Sequence, residues 1–280
     1  RVPGTGAGGR VTKKDILDFV AKGGATAASA APAQRSVATA PAPSVTFAPG
    51  MRVERQPMSA MRKKIAEHMI ESRRISAHVN SVFEVDMTRV VKMREKYKAV
   101  YEQRYGTKLT MTPFFVKVAC DGLRAWPVIN ASVEGNDIVY KKDLNIGVAV
   151  ALDWGLIVPV VKNADELSIA GLTKKINDLA ERARAKKLLP DEVQGGTFTI
   201  TNPGIFGGVF GLPIISQPQV AIMGIGGIEK RPVVVDDAIA IRSMMYLSMS
   251  YDHRVVDGAV ADQFLAMVKK GLQEFDESLL

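Results

Sequence analysis

From Gly23 to Pro49 the chain is written almost wholly in Ala, Pro, Ser, Thr and Gly, with Arg35 as its single charged residue. So few large apolar side chains cannot offset the ~1–2 kcal/mol per residue that ordering a backbone costs, so a mobile, semi-extended linker is expected. That feature divides the chain into a short front piece over residues 1–22, a linker over 23–55, and a body over 56–280 long enough for one large domain. The opening, from Arg1, has no initiator Met and no apolar signal core, and reads as the continuation of a longer protein.

The front piece packs glycines into GTGAGGR and then reads as a helix from Thr12 to Ala21. Thr12 stands at the N-cap, Asp15 at the third helical position, and Ile16, Phe19 and Val20 on one face. In the body, apolar Met61, Ile65 and Met69 mark a helix over Ser59–Ser72, and alternation marks a strand over Val79–Val85. A helix over Thr88–Arg104 carries Val90, Met93, Tyr97 and Val100 on its stripe, and Thr112-Pro113 opens another. INASV–EGN–DIVYK reads as a hairpin. LNIGVAVAL, GLIVPVV, TFTIT, VAIMGI and MMYLSMS read as strands, with helices over Ser168–Lys187 and Asp257–Glu274. Hairpins mixed with helical crossovers argue for α+β layering around a mixed sheet.

Composition removes several function classes. The longest apolar runs fall well short of the ~20 residues that span a bilayer, so no membrane segment is expected. The single cysteine, Cys120, lies in an apolar helix and suits a buried small hydrophobe, a reducing compartment and metal-free chemistry. The net charge of +8 is concentrated between Met51 and Lys108, where fourteen Lys/Arg face seven Asp/Glu. These sit on amphipathic helices without any nucleic-acid recognition motif, so solvated helix faces are the expectation, with part of the charge open to a phosphate-bearing cofactor.

Three histidines remain as candidates for proton transfer. His68 lies beside Glu67 and Glu71 on the basic helix and reads as a surface residue; His78 precedes a strand and reads as packing at its entry. His253 lies in SYDHRVVDGAVAD, between a hydrophobic strand and a helix, where α/β architectures present polar groups, with Asp257 four residues on. Spacing alone leaves a plain strand-to-helix turn equally open.

The strings DHRVVDGA, GGTFTITNPGIFGG (195–208), GLIVPVV (155–161) and the opening GTGAGGRVTKKDI, taken together and in this order, resemble the dihydrolipoyl acyltransferases of the 2-oxo acid dehydrogenase complexes. The resemblance covers about Pro57 to Phe275 and the first twenty or so residues. It implies a chloramphenicol-acetyltransferase-like two-layer α+β sandwich for the body. For the front piece it implies part of a peripheral subunit-binding domain, whose first helix is missing. Arg10 and Lys13 would be the basic contacts to the decarboxylase and lipoamide dehydrogenase components, and Asp15 a buried, loop-tying acid. The lipoyl group would ride on an upstream domain outside this chain.

The resemblance further implies transfer of an acyl group between a dihydrolipoyl thiol and coenzyme A. A neutral imidazole, with its pKa of about 6.5, can accept a thiol proton at neutral pH, and His253 matches the general base. Thr201 matches the hydroxyl that donates to the oxyanion, and Asp257 the acid after the histidine, a loop-ordering carboxylate. No residue is assigned to coenzyme binding and no metal is expected. The family's site lies between subunits of a homotrimer, so His253 and Thr201 would come from neighbouring chains, and trimers build a larger core. ITN with Thr201, together with RSMMYLSMSYDHR, leans to the succinyl-transferring branch over the acetyl one, with branched-chain acyl groups open. Bacterial cytoplasm or mitochondrial matrix is the expected location. Two rivals stand beside this reading: a non-catalytic core protein of the same complex, and a free-standing acetyltransferase for small molecules.

Overall fold

The computed structural model describes residues 2, 4–21 and 46–280, so most of the expected linker, residues 23–45, lies outside the described residues. The chain divides into two compact units, Arg1–Gln56 and Pro57–Leu280.

In the first unit a glycine turn leads into α1 (Lys13–Ala21). Asp15 is its one buried residue. The Asp15 carboxylate accepts from the backbone N–H and hydroxyl of Thr5 and from the same two groups of Thr12, at 2.7 and 2.9 Å for Thr12. The Thr5 hydroxyl foremost, then the backbone N–H groups, hold this carboxyl well below the usual carboxylate range. The loop-tying acid expected at this position is therefore in place. Ile16, Leu17 and Val20 stay exposed, as do Arg10 and Lys13.

The second unit is built on a seven-stranded mixed sheet. Its elements are α2 (Ala60–Ile75), β1 (His78–Asp86), α3 (Thr88–Tyr105), α4 (Thr112–Ala125), β2 (Ala131–Glu134), β3 (Asp137–Tyr140), β4 (Ile146–Val148), β5 (Val150–Leu152), β6 (Gly155–Ile157), β7 (Val160–Val161), α5 (Ile169–Arg184), β8 (Phe198–Thr201), β9 (Ala221–Ile225), β10 (Glu229–Val235), β11 (Ala238–Asp252) and α6 (Gly258–Gln273). The strand order is β1-β11-β9-β8-β4-β7, with β10 paired to β11 and with β2–β3 and β5–β6 as separate two-stranded ribbons. β4–β8 and β8–β9 run parallel, and the remaining pairs antiparallel. Here is the expected α+β layering around a mixed sheet.

Central strand β9 is apolar on both faces and buried throughout, while β8 turns Phe198 and Ile200 to one face and Thr199 and Thr201 to the other, with all but Thr201 buried. Phe198 of β8 meets Phe264 of α6 edge to face at 5.9 Å, and Phe114 of α4 meets Phe275 at 5.0 Å. α4 and α6 approach closely: a Cβ at Gly271 would collide with Val118, and one at Gly122 with Phe264. The stripe of α3 differs in one member from its sequence reading. Tyr101 is buried and Val100 exposed, because the steps from Met93 to Tyr97 to Tyr101 keep one face.

MMYLSMS alone reads as the last strand, whereas β11 begins earlier, at Ala238, runs fifteen residues and forms an arm with β10. Pro232 in β10 reads as a strand breaker, yet β10 is an edge strand, where a missing donor costs little. The arm turns at Asp236 and Asp237, both left-handed at φ 50° and 59°, in a two-residue connection that favours positive φ. The apolar run read as one strand over 144–152 is split into β4 and β5, which belong to different sheets.

Candidate active site

β11 delivers Asp252 and His253 to the edge of the sheet, and the chain turns there into α6. Asp252 is buried and takes hydrogen bonds from the N–H of Ala77 (3.2 Å) and of Arg254 (3.1 Å). The Arg254 guanidinium grips the same carboxylate in a fork, Nε at 3.0 and 3.1 Å from the two oxygens and a terminal nitrogen at 2.7 Å from Oδ2. Burial pushes this carboxyl up. The hydrogen bonds from Arg254 and Ser76 outweigh it and hold the group below the usual range. Asp252 was visible in DHRVVDGA as the acid directly before the histidine, but sequence reasoning gave it no role.

Between these two, the N–H of His253 donates to the carbonyl of Ala77 at 2.9 Å, so the start of β1 and the end of β11 both fix its backbone. The imidazole is exposed, its ring 6.0 Å from that of Tyr251, and it has no hydrogen-bond partner among the described residues. It is free to meet a substrate. Asp257 caps α6 through its carbonyl, which accepts from Ala261 at 3.0 Å, while its exposed carboxylate makes no capping bond. Within one chain, the ordering of the loop expected of Asp257 falls instead to Asp252.

The other histidines are differently placed. His78 holds the carbonyl of Ser76 with Nδ1 at 3.1 Å and accepts the N–H of Ile215 on Nε2 at 3.1 Å, so both nitrogens are used for structure. His68 is exposed on α2. Cys120 is buried, and that burial pushes its thiol up to about 12, which removes it as a nucleophile.

Thr201 ends β8, half-buried, on the same face of the strand as Thr199. Thr199 is spent on structure, donating to the side-chain oxygen of Gln219 at 2.7 Å. The Thr201 hydroxyl has no partner among the described residues. After it the chain turns through Pro203–Phe206 and presses onto the end of β9: a Cβ at Gly204 would collide with the backbone of Gly226, and one at Gly226 with the carbonyl of Val209. This loop presents Ile205, Phe206, Val209, Phe210 and Leu212 to the surface. Beside it lies a cleft of about 390 Å³ whose lining includes Arg94, Thr112, Arg184 and Asn202. A second cleft of about 400 Å³ shares Thr110, Asn177 and Arg184 with it and adds Lys108. No sequence motif marked these cations, which come from three separate segments.

The register fixes how Thr201 and His253 are related. Thr201 is level with Gly224, and Gly224 with Ser248. From Ser248 the chain runs five residues on to His253, about 17 Å at ~3.4 Å per residue, while β8 and β11 stand two strand spacings apart, about 10 Å. The two residues are therefore at opposite ends of the sheet, about 20 Å apart.

Among the described residues no group of three or more His, Cys, Asp and Glu could hold a metal ion, and no helix is long and apolar enough to cross a membrane.

Residues 51–280 match the family described as 2-oxoacid dehydrogenases acyltransferase (catalytic domain). The chain is 41% identical over 278 residues to the dihydrolipoyllysine-residue succinyltransferase component of the 2-oxoglutarate dehydrogenase complex of Bartonella vinsonii subsp. berkhoffii, covering 99% of this chain and 68% of that protein. To the lipoamide acyltransferase component of the branched-chain alpha-keto acid dehydrogenase complex of Bacillus subtilis (strain 168) it is 42% identical over 286 residues, with the same two coverages. Among solved structures, the Azotobacter vinelandii dihydrolipoamide acetyltransferase (E2p) is similar with a TM-score of 0.81 at 37% identity, over 86% of this chain and all of that one. A serine, a histidine and an asparagine have been investigated there for roles in its catalytic mechanism.

Proposed function

This chain belongs to the 2-oxoacid dehydrogenase acyltransferase family, and from that membership we propose that His253, Thr201 and Asp257 carry its acyl transfer between a dihydrolipoyl thiol and coenzyme A. Acyl transfer within the core of a 2-oxo acid dehydrogenase complex is the work of the family.

One observation carries the residue assignment. In the Azotobacter relative the investigated serine and histidine stand 52 positions apart and the asparagine four beyond the histidine; Thr201, His253 and Asp257 repeat both intervals, 253 − 201 and 257 − 253. A threonine here replaces the serine, which keeps the hydroxyl. An aspartate replaces the asparagine, which keeps an oxygen acceptor and adds a charge.

The chemistry follows from what each group can do. The imidazole of His253 takes the proton of the attacking thiol of coenzyme A as its sulfur bonds to the carbonyl carbon of the acyl-lipoyl thioester. The carbonyl oxygen becomes an oxyanion, to which the Thr201 hydroxyl donates. Collapse of the adduct expels the lipoyl sulfur, which takes the proton back from the imidazole. Both groups must approach one carbon to hydrogen-bonding distance, and about 20 Å separates them in one chain. A second copy therefore supplies one of the two, as in a homotrimer with a site at each interface, and such trimers are the units of the larger core. Asp257 then orders the loop across that interface, where its unpartnered carboxylate can meet a cation of the neighbour.

The phosphate-bearing end of coenzyme A fits the clefts beside Thr201, where Arg94, Arg184 and Lys108 supply charge-assisted donors. No metal enters the scheme. The acyl group comes from a lipoyl domain carried elsewhere on the protein, and exposed Arg10 and Lys13 offer contacts to the decarboxylase and lipoamide dehydrogenase components. Succinyl is the first acyl group to test, from the sequence leaning and the 2-oxoglutarate relative, and a branched-chain acyl group the second. The apolar loop after Thr201 offers no cation to a succinyl carboxylate, so one must come from another segment. With bacterial relatives, a cytoplasmic location is proposed.

The test is acyl transfer from acetyl-, succinyl- and isobutyryl-coenzyme A to free dihydrolipoamide, for the wild-type protein and for His253→Ala. A dominant donor and a loss of about 10²-fold or more in the variant are expected. An intact assembly equally inert with every donor, wild type and variant alike, would return the chain to the non-catalytic core reading.

A further inference from the structure

A polar cavity of about 270 Å³ opens on the face of the sheet that also carries Thr201. Its floor is one row of that sheet, where Val160 of β7, Gly147 of β4 and Thr199 of β8 stand level. Gly147 keeps the floor open: a Cβ there would press on the Thr199 hydroxyl at 3.0 Å and on Val158 at 2.8 Å. His68 reaches the cavity from α2, and Ser216 and Gln219 line it from the segment before β9.

These polar groups have donors to spare. Gln219 is only 6% exposed. Its side-chain oxygen accepts from Thr199 at 2.7 Å and its nitrogen donates to the Gly196 carbonyl at 3.1 Å, which fixes the amide. One of the two N–H bonds on that nitrogen is left without a partner among the described residues. The Ser216 hydroxyl and the His68 ring have no partner among the described residues either, and an imidazole offers an N–H whether neutral or charged. Among the described residues no Asp or Glu lines the cavity. Glu71, one turn beyond His68 on α2, is engaged by Arg74 at 3.1 Å. Spare donors converging where no acid competes suit an anion.

The cavity is also within reach of the reacting carbon. Thr199 and Thr201 are two residues apart on one face of β8, about 7 Å. The cleft assigned to coenzyme A lies past the end of β8, on the Asn202 side of Thr201, and the cavity lies on the Thr199 side. In a four-carbon acyl group, three C–C bonds of about 1.5 Å and a last C–O bond carry the far oxygens about 5 Å from the thioester carbon. A two-carbon group ends short of the cavity.

We propose that this cavity is the acyl subsite, and that it receives the far carboxylate of a dicarboxylic acyl group of the succinyl class, with His68 as a specificity-determining donor. The inference rests on the acyl-transfer reading and supplies the segment, α2, that meets the acyl carboxylate. A branched-chain acyl group would bring only methyl groups to Ser216, Gln219 and His68 and leave their N–H and O–H bonds unpaired.

The experiment measures kcat/KM for succinyl-, acetyl- and isobutyryl-coenzyme A with free dihydrolipoamide, on the assembled wild-type protein and on His68→Leu and His68→Arg. The readout is the ratio of succinyl to acetyl within each protein, so a general loss of activity or of folded protein cancels. Wild type should favour succinyl, His68→Leu should lower the ratio by about 10-fold or more, and His68→Arg should keep or raise it. A ratio that His68→Leu leaves unchanged overturns the proposal, and so does a wild type that favours acetyl or isobutyryl. If wild-type protein transfers no acyl group from any donor, the acyl-transfer reading is what has failed. Calorimetry with succinate then still decides the subsite: binding to wild type that is lost in His68→Leu supports it, and no binding, or equal binding to both, overturns it.

Discussion

Arg254 and Asp252 clasp each other across His253: the guanidinium places nitrogens 2.7 and 3.0 Å from the two oxygens of a carboxylate that is only 1% exposed. The residue between them is thereby held from both sides in sequence, and the Ala77 carbonyl holds its N–H from a third. Asp252→Asn keeps the shape but turns an amide N–H₂ towards groups that all donate. Because Arg254 is 40% exposed and partly solvated, the expected loss is about 2 kcal/mol at pH 7, read by urea denaturation. A fall of about 10-fold in kcat with little change in KM should accompany it as His253 loses its fixed position. The native pKa of Asp252 is depressed, so its contribution is fully present above the unfolded value of about 3.9 and is lost as pH falls through the native one. The gap between wild type and variant should therefore close in acid, and a gap that persists unchanged there would assign it to packing instead.

Replacing the Thr201 hydroxyl tests the oxyanion assignment. Thr201→Val conserves the β-branched strand residue and removes only the donor. It should lower kcat by about 10²- to 10³-fold, whereas Thr201→Ser should stay within a few-fold of wild type. Equal losses in both variants would mean that the methyl group, and not the hydroxyl, is what the site requires.

How far these groups could be read without coordinates differs from one to the next. The expected helices and most strands are present because their signals are local: Thr112-Pro113 at a helix start, alternation in β1, Thr12 and Asp15 closing on each other around the first turn of α1. His253 and Thr201 stood out through the strings around them. Their separation to opposite ends of the sheet did not, because it depends on the parallel pairing of β8 with β9 and the antiparallel return of β11, which no single segment encodes. For the same reason the cleft of Arg94, Lys108 and Arg184 was illegible.

Asp15 makes a prediction for the front unit. Four donors from Thr5 and Thr12 converge on its carboxylate and depress its native pKa. A depressed acid contributes its stability above the unfolded value of about 3.9 and loses it as pH falls through the native value. Amide exchange at Thr5 and Thr12 should therefore be slow and flat from pH 7 down to about 4, once corrected for intrinsic rates. In Asp15→Asn both amides should exchange faster across that whole range, since the amide nitrogen meets donors with a donor. Unchanged protection in the variant would mean that the glycine turn holds itself.

The division of the site between copies gives the sharpest test. His253→Ala and Thr201→Val proteins each lack one of the two groups at every site, so each alone is expected to be nearly inert. If every site pairs His253 of one copy with Thr201 of the next, unfolding the two together in equal amounts and refolding them generates some interfaces at which a Thr201→Val copy lends its intact histidine to a His253→Ala copy's intact threonine. Random assembly around a ring makes about a quarter of the interfaces whole, and acyl transfer to free dihydrolipoamide should return to about that fraction of wild type. A site built within one chain predicts no recovery at any mixing ratio, because no single chain in the mixture has both groups. Recovery that needs joint refolding, and that does not occur when the two folded proteins are simply mixed, would further place the exchange at the level of assembly and not of diffusing substrate.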